Sequence, residues 1–148
     1  MKLTFKGKVA VVTGGSGGIG LDVSKKLVKL KIKVLILDIN KPKSTANKFI
    51  YFEKVDLSNK NEINQALDNF IKKHKRVDYL INAAGVLWFD KDLGLEKIET
   101  NIWDKVFDIN LKSMFLVLKK ILPTMKKNKF GSIVNISSID ALSGYDKP

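Results

Sequence analysis

Five short apolar runs alternate with stretches of helical period along the 148 residues, and this alternation restricts the possible folds more than any other feature. The spacing predicts strands at about 8–12, 33–37, 49–55, 77–81 and 131–137. Helices are expected over about 18–30, after Ser58 as an N-cap, and over about 99–127. In the first helix Ile19, Val23, Leu27 and Leu30 share a face; in the second, Ile63, Ala66, Leu67, Phe70 and Ile71 do. The third is expected to break or kink near Asn110 and again at Pro123, which lacks a backbone donor. Strands that alternate with helices pair in parallel through right-handed crossovers. The expected fold is therefore one α/β domain over residues 1–148, a three-layer doubly wound parallel sheet with strand order 3-2-1-4-5.

The turn after the first strand reads Thr13-Gly14-Gly15-Ser16-Gly17-Gly18-Ile19-Gly20. Glycines let a chain turn with positive φ and bring backbone N–H groups close to a ligand. The following helix start adds unpaired donors and the positive end of its dipole. A dinucleotide pyrophosphate needs that combination. Two registers compete, Gly15-x-Gly17-x-x-Gly20 and Gly14-x-x-x-Gly18-x-Gly20. A Walker loop is excluded, because no Lys-Ser or Lys-Thr follows the glycines. Eighteen residues beyond Gly20 the second apolar run ends in Asp38, where a dinucleotide fold places the acid that binds the adenosine ribose.

Composition narrows the alternatives. At 45% hydrophobic residues the chain can build a core, yet no run approaches the roughly 20 apolar residues of a membrane span. The absence of cysteine excludes disulfides and thiolate metal sites and suits the cytoplasm. The one histidine, His74, lies among Lys72, Lys73, Lys75 and Arg76 and reads as a solvated helix end. The formal net charge of +12 raises nucleic acid or an anionic membrane as partners. Its source is lysine, however, with Arg76 the single arginine, and base reading and bidentate phosphate recognition favour arginine. Solvated lysine faces are expected, with no nucleic-acid and no membrane partner. The excess of Lys, Asn and Ile also fits a compositional bias of the source genome.

Five motifs in this order resemble the classical short-chain dehydrogenase/reductase family. They are Thr13-Gly14-x-x-x-Gly18-x-Gly20, Asp56-Leu57, Asn82-Ala83-Ala84-Gly85, Asn110 within Asp108-Ile109-Asn110-Leu111, and Asn135-Ile136-Ser137-Ser138. The resemblance spans nearly the whole chain, selects the Gly14/Gly18/Gly20 register and implies a Rossmann fold. It implies that Gly14, Ser16, Gly18, Ile19 and Gly20 surround the cofactor pyrophosphate and adenosine, and that Asp56 and Leu57 receive the adenine. By the same resemblance Asn82, Ala83, Ala84 and Gly85 line the cofactor, Asn110 holds a water of the proton relay, and Ser138 hydrogen-bonds the substrate oxygen. The implied activity is hydride transfer between NAD(P) and an alcohol or carbonyl substrate, without metal, in a dimer or tetramer. Leu111, Phe115, Leu118 and Leu122 are candidates for an interface or for core. Asp38 would accept from both ribose hydroxyls of NAD and repel a 2′-phosphate, so NAD is expected over NADP.

One departure limits the resemblance. The family's chemistry uses a tyrosine, with a lysine four positions later, roughly a dozen residues beyond the serine. Here Tyr145 follows Ser138 by seven, and Lys147 follows Tyr145 by two. Tyr145 is therefore given no catalytic role. The catalytic helix, last strands and substrate lid are absent, so a fifth strand with an uncovered apolar edge is expected. The expectation is part of a longer protein, inactive alone. The alternative is a non-catalytic nucleotide-binding or partner-recruiting module.

Overall fold

Strand β1 (Val9–Thr13) is buried at all five positions, which requires neighbours on both edges and layers on both faces. In the computed structural model, which describes residues 4–43, 47–91 and 93–139, it has all of these. It pairs in parallel with β2 (Lys33–Asp38) on one side and β4 (Tyr79–Asn82) on the other. β3 (Ile50–Lys54) and β5 (Ser132–Asn135) complete the order β3-β2-β1-β4-β5, the order the sequence implies.

Alternate residues of the strands feed two cores. Val9, Val11, Leu35, Leu37 and Leu80 pack under α2 (Lys60–His74) and α4 (Ser113–Lys127). Ala10, Val12, Val34, Ile36 and Ile81 pack under α1 (Gly18–Lys29) through Leu27 and Val28. Helices on both faces of a parallel sheet make the expected three-layer doubly wound Rossmann fold.

Several local expectations change. Asn59, not Ser58, caps α2: its side-chain oxygen accepts from the N–H groups of Asn61 (3.0 Å) and Glu62 (3.4 Å). Ser58 instead donates its hydroxyl and its N–H to Asp56 Oδ1. The long helical region does not break at Asn110. α3 (Thr100–Phe107) passes through a π-helical turn (Asp108–Lys112) into α4, which runs on through Pro123. His74 ends α2 as expected but is only partly solvated. It lies half-buried against the rings of Phe70 (4.5 Å) and Tyr51 (4.9 Å), with Nε2 buried and unpaired.

The strand starts are held by a group the sequence did not single out. Asp78 is fully buried just before β4. Its Oδ2 accepts from the N–H groups of Lys8 (2.6 Å) and Val9 (3.0 Å), and Arg76 clamps both carboxylate oxygens. Its backbone N–H donates to Val9 and its carbonyl accepts from Ser132. One residue thus ties together the entries to β1, β4 and β5. A buried carboxylate is tolerated only when so fully paired.

Asp78→Ala leaves two backbone donors unpaired, while the 40% exposed Arg76 side chain can turn to water. It should cost about 2–4 kcal/mol, read as a lower urea midpoint or as failure to fold. A second expectation concerns pH. Burial, then the charges of Lys33 and Lys73, hold His74 below its ordinary pKa of 6.5. The fold favours the neutral ring, so its contribution is full above pH 6.5 and declines as pH falls through the lower folded value. Urea midpoints at pH 7.5 and 5.5 should differ less in His74→Phe than in the parent. An unchanged difference would exclude His74 as the source.

Candidate functional site

Parallel pairing puts the C-terminal ends of β1, β2, β3 and β4 side by side, and a cleft of about 730 Å³ opens there. Ten of the sequence-predicted residues line it: Gly14, Ser16, Gly18 and Ile19 from the first turn, Asp38 from β2, Asp56 and Leu57 after β3, and Ala83, Ala84 and Gly85 after β4. The volume falls in the range of small-molecule and cofactor sites.

The glycine turn is shaped by two close approaches. Gly14 has φ +64°, and a Cβ there would lie 2.7 Å from Ala84 Cα. A side chain at Gly20 would meet the carbonyl of Gly14, so this glycine permits the tight turn and does not line the cleft. Across the strands, Thr13 Oγ1 accepts from the N–H groups of Ala83 (3.2 Å) and Ala84 (3.3 Å), locking the two turns together. The sequence pattern contained Thr13 but gave no sign of this role.

The turn leaves donors available. α1 has Gly17 as its N-cap, with no side-chain cap and no acid in its first turn, whereas α2 is capped by Asn59. Ser16 Oγ is buried with no hydrogen-bond partner. An uncapped helix start and an orphaned hydroxyl suit a phosphate, which supplies acceptors for both. Asp38 stands beside them. Its Oδ2 accepts from Ser16 N–H (3.0 Å) and its Oδ1 from Asn40 N–H (2.9 Å), so each oxygen keeps acceptor capacity for a hydroxyl. A nicotinamide dinucleotide fits this donor and acceptor set.

Farther along the cleft, hydrogen bonds from the Ser58 hydroxyl and then its N–H hold Asp56 below the usual carboxylate range; Lys105 adds a smaller effect in the same direction. Lys105, Trp88, Val86 and Ile109 also line the cleft. None was predicted as a site residue: Ile109 lies within and Val86 next to motifs quoted for other residues, and Lys105 and Trp88 belong to no motif.

Asn82, Asn110 and Ser138 lie outside the lining. Asn82 is buried and donates to Asn135 Oδ1 across β4 and β5 (2.8 Å). Asn110, on the π-helical turn, accepts from Val86 N–H (2.8 Å) and donates to Val86 O (2.9 Å). That pair of bonds clamps the loop after β4. Ser138 is exposed three residues past the end of β5. Tyr145 lies outside the described residues.

The family model described as short chain dehydrogenase matches residues 8–147. A 3-oxoacyl-[acyl-carrier-protein] reductase FabG of Rickettsia typhi is 35% identical over 147 residues, covering 96% of this chain and 58% of the relative. A structure of ElxO with NADP bound superposes with a TM-score of 0.82 at 30% identity, over 94% of this chain and 58% of that one. A short chain dehydrogenase from Leptospira borgpetersenii with bound NAD+ also gives 0.82, at 27% identity, over 99% and 59%. The chain thus spans about 58% of the length of these relatives.

Asn110→Ala should release the Val86 peptide, lowering stability by about 1–3 kcal/mol and loosening the cleft wall. Faster amide exchange at Val86, with β1 unchanged, is the expected signature. Protection equal to the parent's would remove the clamp from the site.

Proposed function

This chain belongs to the short-chain dehydrogenase family, and from that premise we propose that it forms the dinucleotide-binding part of an oxidoreductase acting on an alcohol or carbonyl substrate. The observation that carries the reading is the meeting of the uncapped α1 start, the unpartnered Ser16 hydroxyl and the Asp38 carboxylate at one cleft end. When bound, the nicotinamide supplies or accepts the hydride.

In this reading the α1 turn and Ser16 hold the pyrophosphate and Asp38 accepts from the ribose hydroxyls. Asp56 and Leu57 take the adenine, while Asn82, Ala83, Ala84 and Gly85 shape the wall. Asn110 keeps the loop in place and supports the water relay, and Ser138 polarises the substrate oxygen. The proton passes through a tyrosine and a lysine four positions on, a pair that Tyr145 and Lys147 do not match in spacing. The 148 residues alone are therefore expected to turn over little.

NAD is the favoured cofactor, because a carboxylate at the ribose repels a 2′-phosphate. The relatives leave both open, one structure holding NADP and another NAD+. Association through helices fits the exposed apolar side chains of Trp103, Phe107, Leu111, Phe115 and Leu122, while Leu118 packs on the core. A second reading, a partner-recruiting module, is favoured by β5 alone: all four residues are exposed, with Ile133 at 38% and Val134 at 48%.

Calorimetric titration of the chain should detect NAD in preference to NADP. Asp38→Ala should weaken NAD by about tenfold or more and narrow the gap between the two. No heat with either dinucleotide at millimolar concentration would overturn the reading, and NADP preference in the parent would overturn the cofactor choice.

A further inference from the structure

In a parallel sheet with returning helices, every strand start and helix end faces the same pole, opposite the cleft. Five short segments compose that pole: residues 6–8, 26–33, 48, 72–78 and 126–129. They hold fourteen lysines and arginines but one acid, Asp78, whereas the other described residues hold eleven cations and eleven acids. Among the described residues the net positive charge is therefore that of one end. Asp78 is buried and paired with Arg76, so these segments expose no acid to offset it.

We infer that this pole is a docking surface for a negatively charged lipid bilayer. Helix-dipole complementarity accounts for the lysines in the last turns of α1, α2 and α4. It does not account for Lys6, Lys8, Lys33 and Lys48, which lie outside any helix. A lysine-rich composition does not account for the missing acids, since it would spread cations without clearing one end of anions. Lys31, Lys75 and Lys129 even occupy left-handed positions, with φ of 60°, 61° and 49°, where glycine would relieve strain.

The chemistry favours lipid over nucleic acid. The cations are lysines, point charges suited to a diffuse anionic surface, and the one arginine is spent on Asp78. Two exposed apolar side chains sit among them. Phe5 (45% exposed) packs edge-on against Tyr79 at the start of β4, and Leu30 (49%) ends α1. Apolar groups ringed by lysine can enter the boundary between headgroups and acyl chains, a phase that a phosphodiester polymer lacks. No helix of the described residues is long and apolar enough to cross a membrane, so the contact is peripheral. Docked this way, the chain turns its cleft toward water.

Vesicle sedimentation of the 148-residue chain tests the inference. It should pellet with phosphatidylcholine vesicles containing phosphatidylglycerol, stay soluble with phosphatidylcholine alone, and release as salt rises. Lys31→Glu, Lys75→Glu and Lys129→Glu together should lower partitioning by more than about 30-fold. The charge-matched set Lys60→Glu, Lys91→Glu and Lys97→Glu should change it far less; circular dichroism checks that both sets fold. Phe5→Ser with Leu30→Ser should weaken vesicle binding without affecting capture by heparin. Equal loss in both lysine sets, or no binding to anionic vesicles, overturns the proposal. So does displacement from vesicles by poly-uridine with Phe5→Ser and Leu30→Ser without effect, which would assign the pole to nucleic acid.

Discussion

The parallel pairing of β1 between β2 and β4 is the constraint from which the rest follows. Its residues are buried throughout, so neither edge nor face can be left open. That pairing aligns Thr13 with Leu37 and Asn82, which places the glycine turn, Asp38 and the turn after β4 at one end. Without that register, the Thr13 hydroxyl could not hold Ala83 and Ala84, and the Asp38 carboxylate could not reach the N–H of Ser16.

The two ends of the sheet solve opposite electrostatic problems. At the cleft, donors and acceptors are deliberately incomplete: a helix start has no cap, a serine hydroxyl has no partner and a carboxylate keeps lone pairs. Such deficits destabilise the free protein slightly and favour a ligand that completes them. At the opposite end the single acid of the described residues is fully satisfied by Arg76 and two backbone N–H groups, and the lysines around it form no salt bridge among the described residues. A fold that segregates strand starts from strand ends also segregates these two kinds of surface.

Much of this was legible in the sequence. Periodicity located the five strands and three helical regions closely enough to give the strand order, and motif spacing identified ten cleft residues. The misses have physical causes. Ser58 and Asn59 are both good caps, and only backbone geometry decides which accepts from the first turn. A π-helical turn keeps the chain helical while adding a residue, so Asn110 looked like a break. His74 carries lysine neighbours along the chain but aromatic neighbours in space.

The sequence by itself determined the order of strands and helices, the dinucleotide character of the first turn and the family, because those follow from local periodicity and from short motifs. Only the tertiary structure decided which groups are left without partners. Ser16, Lys105 and Trp88 converge on the cleft, Asp78 disappears beneath Arg76, and scattered lysines become one cationic pole. Partnership is a property of distance in space, and a parallel sheet brings together residues that lie seventy positions apart along the chain, as Lys8 and Asp78 do.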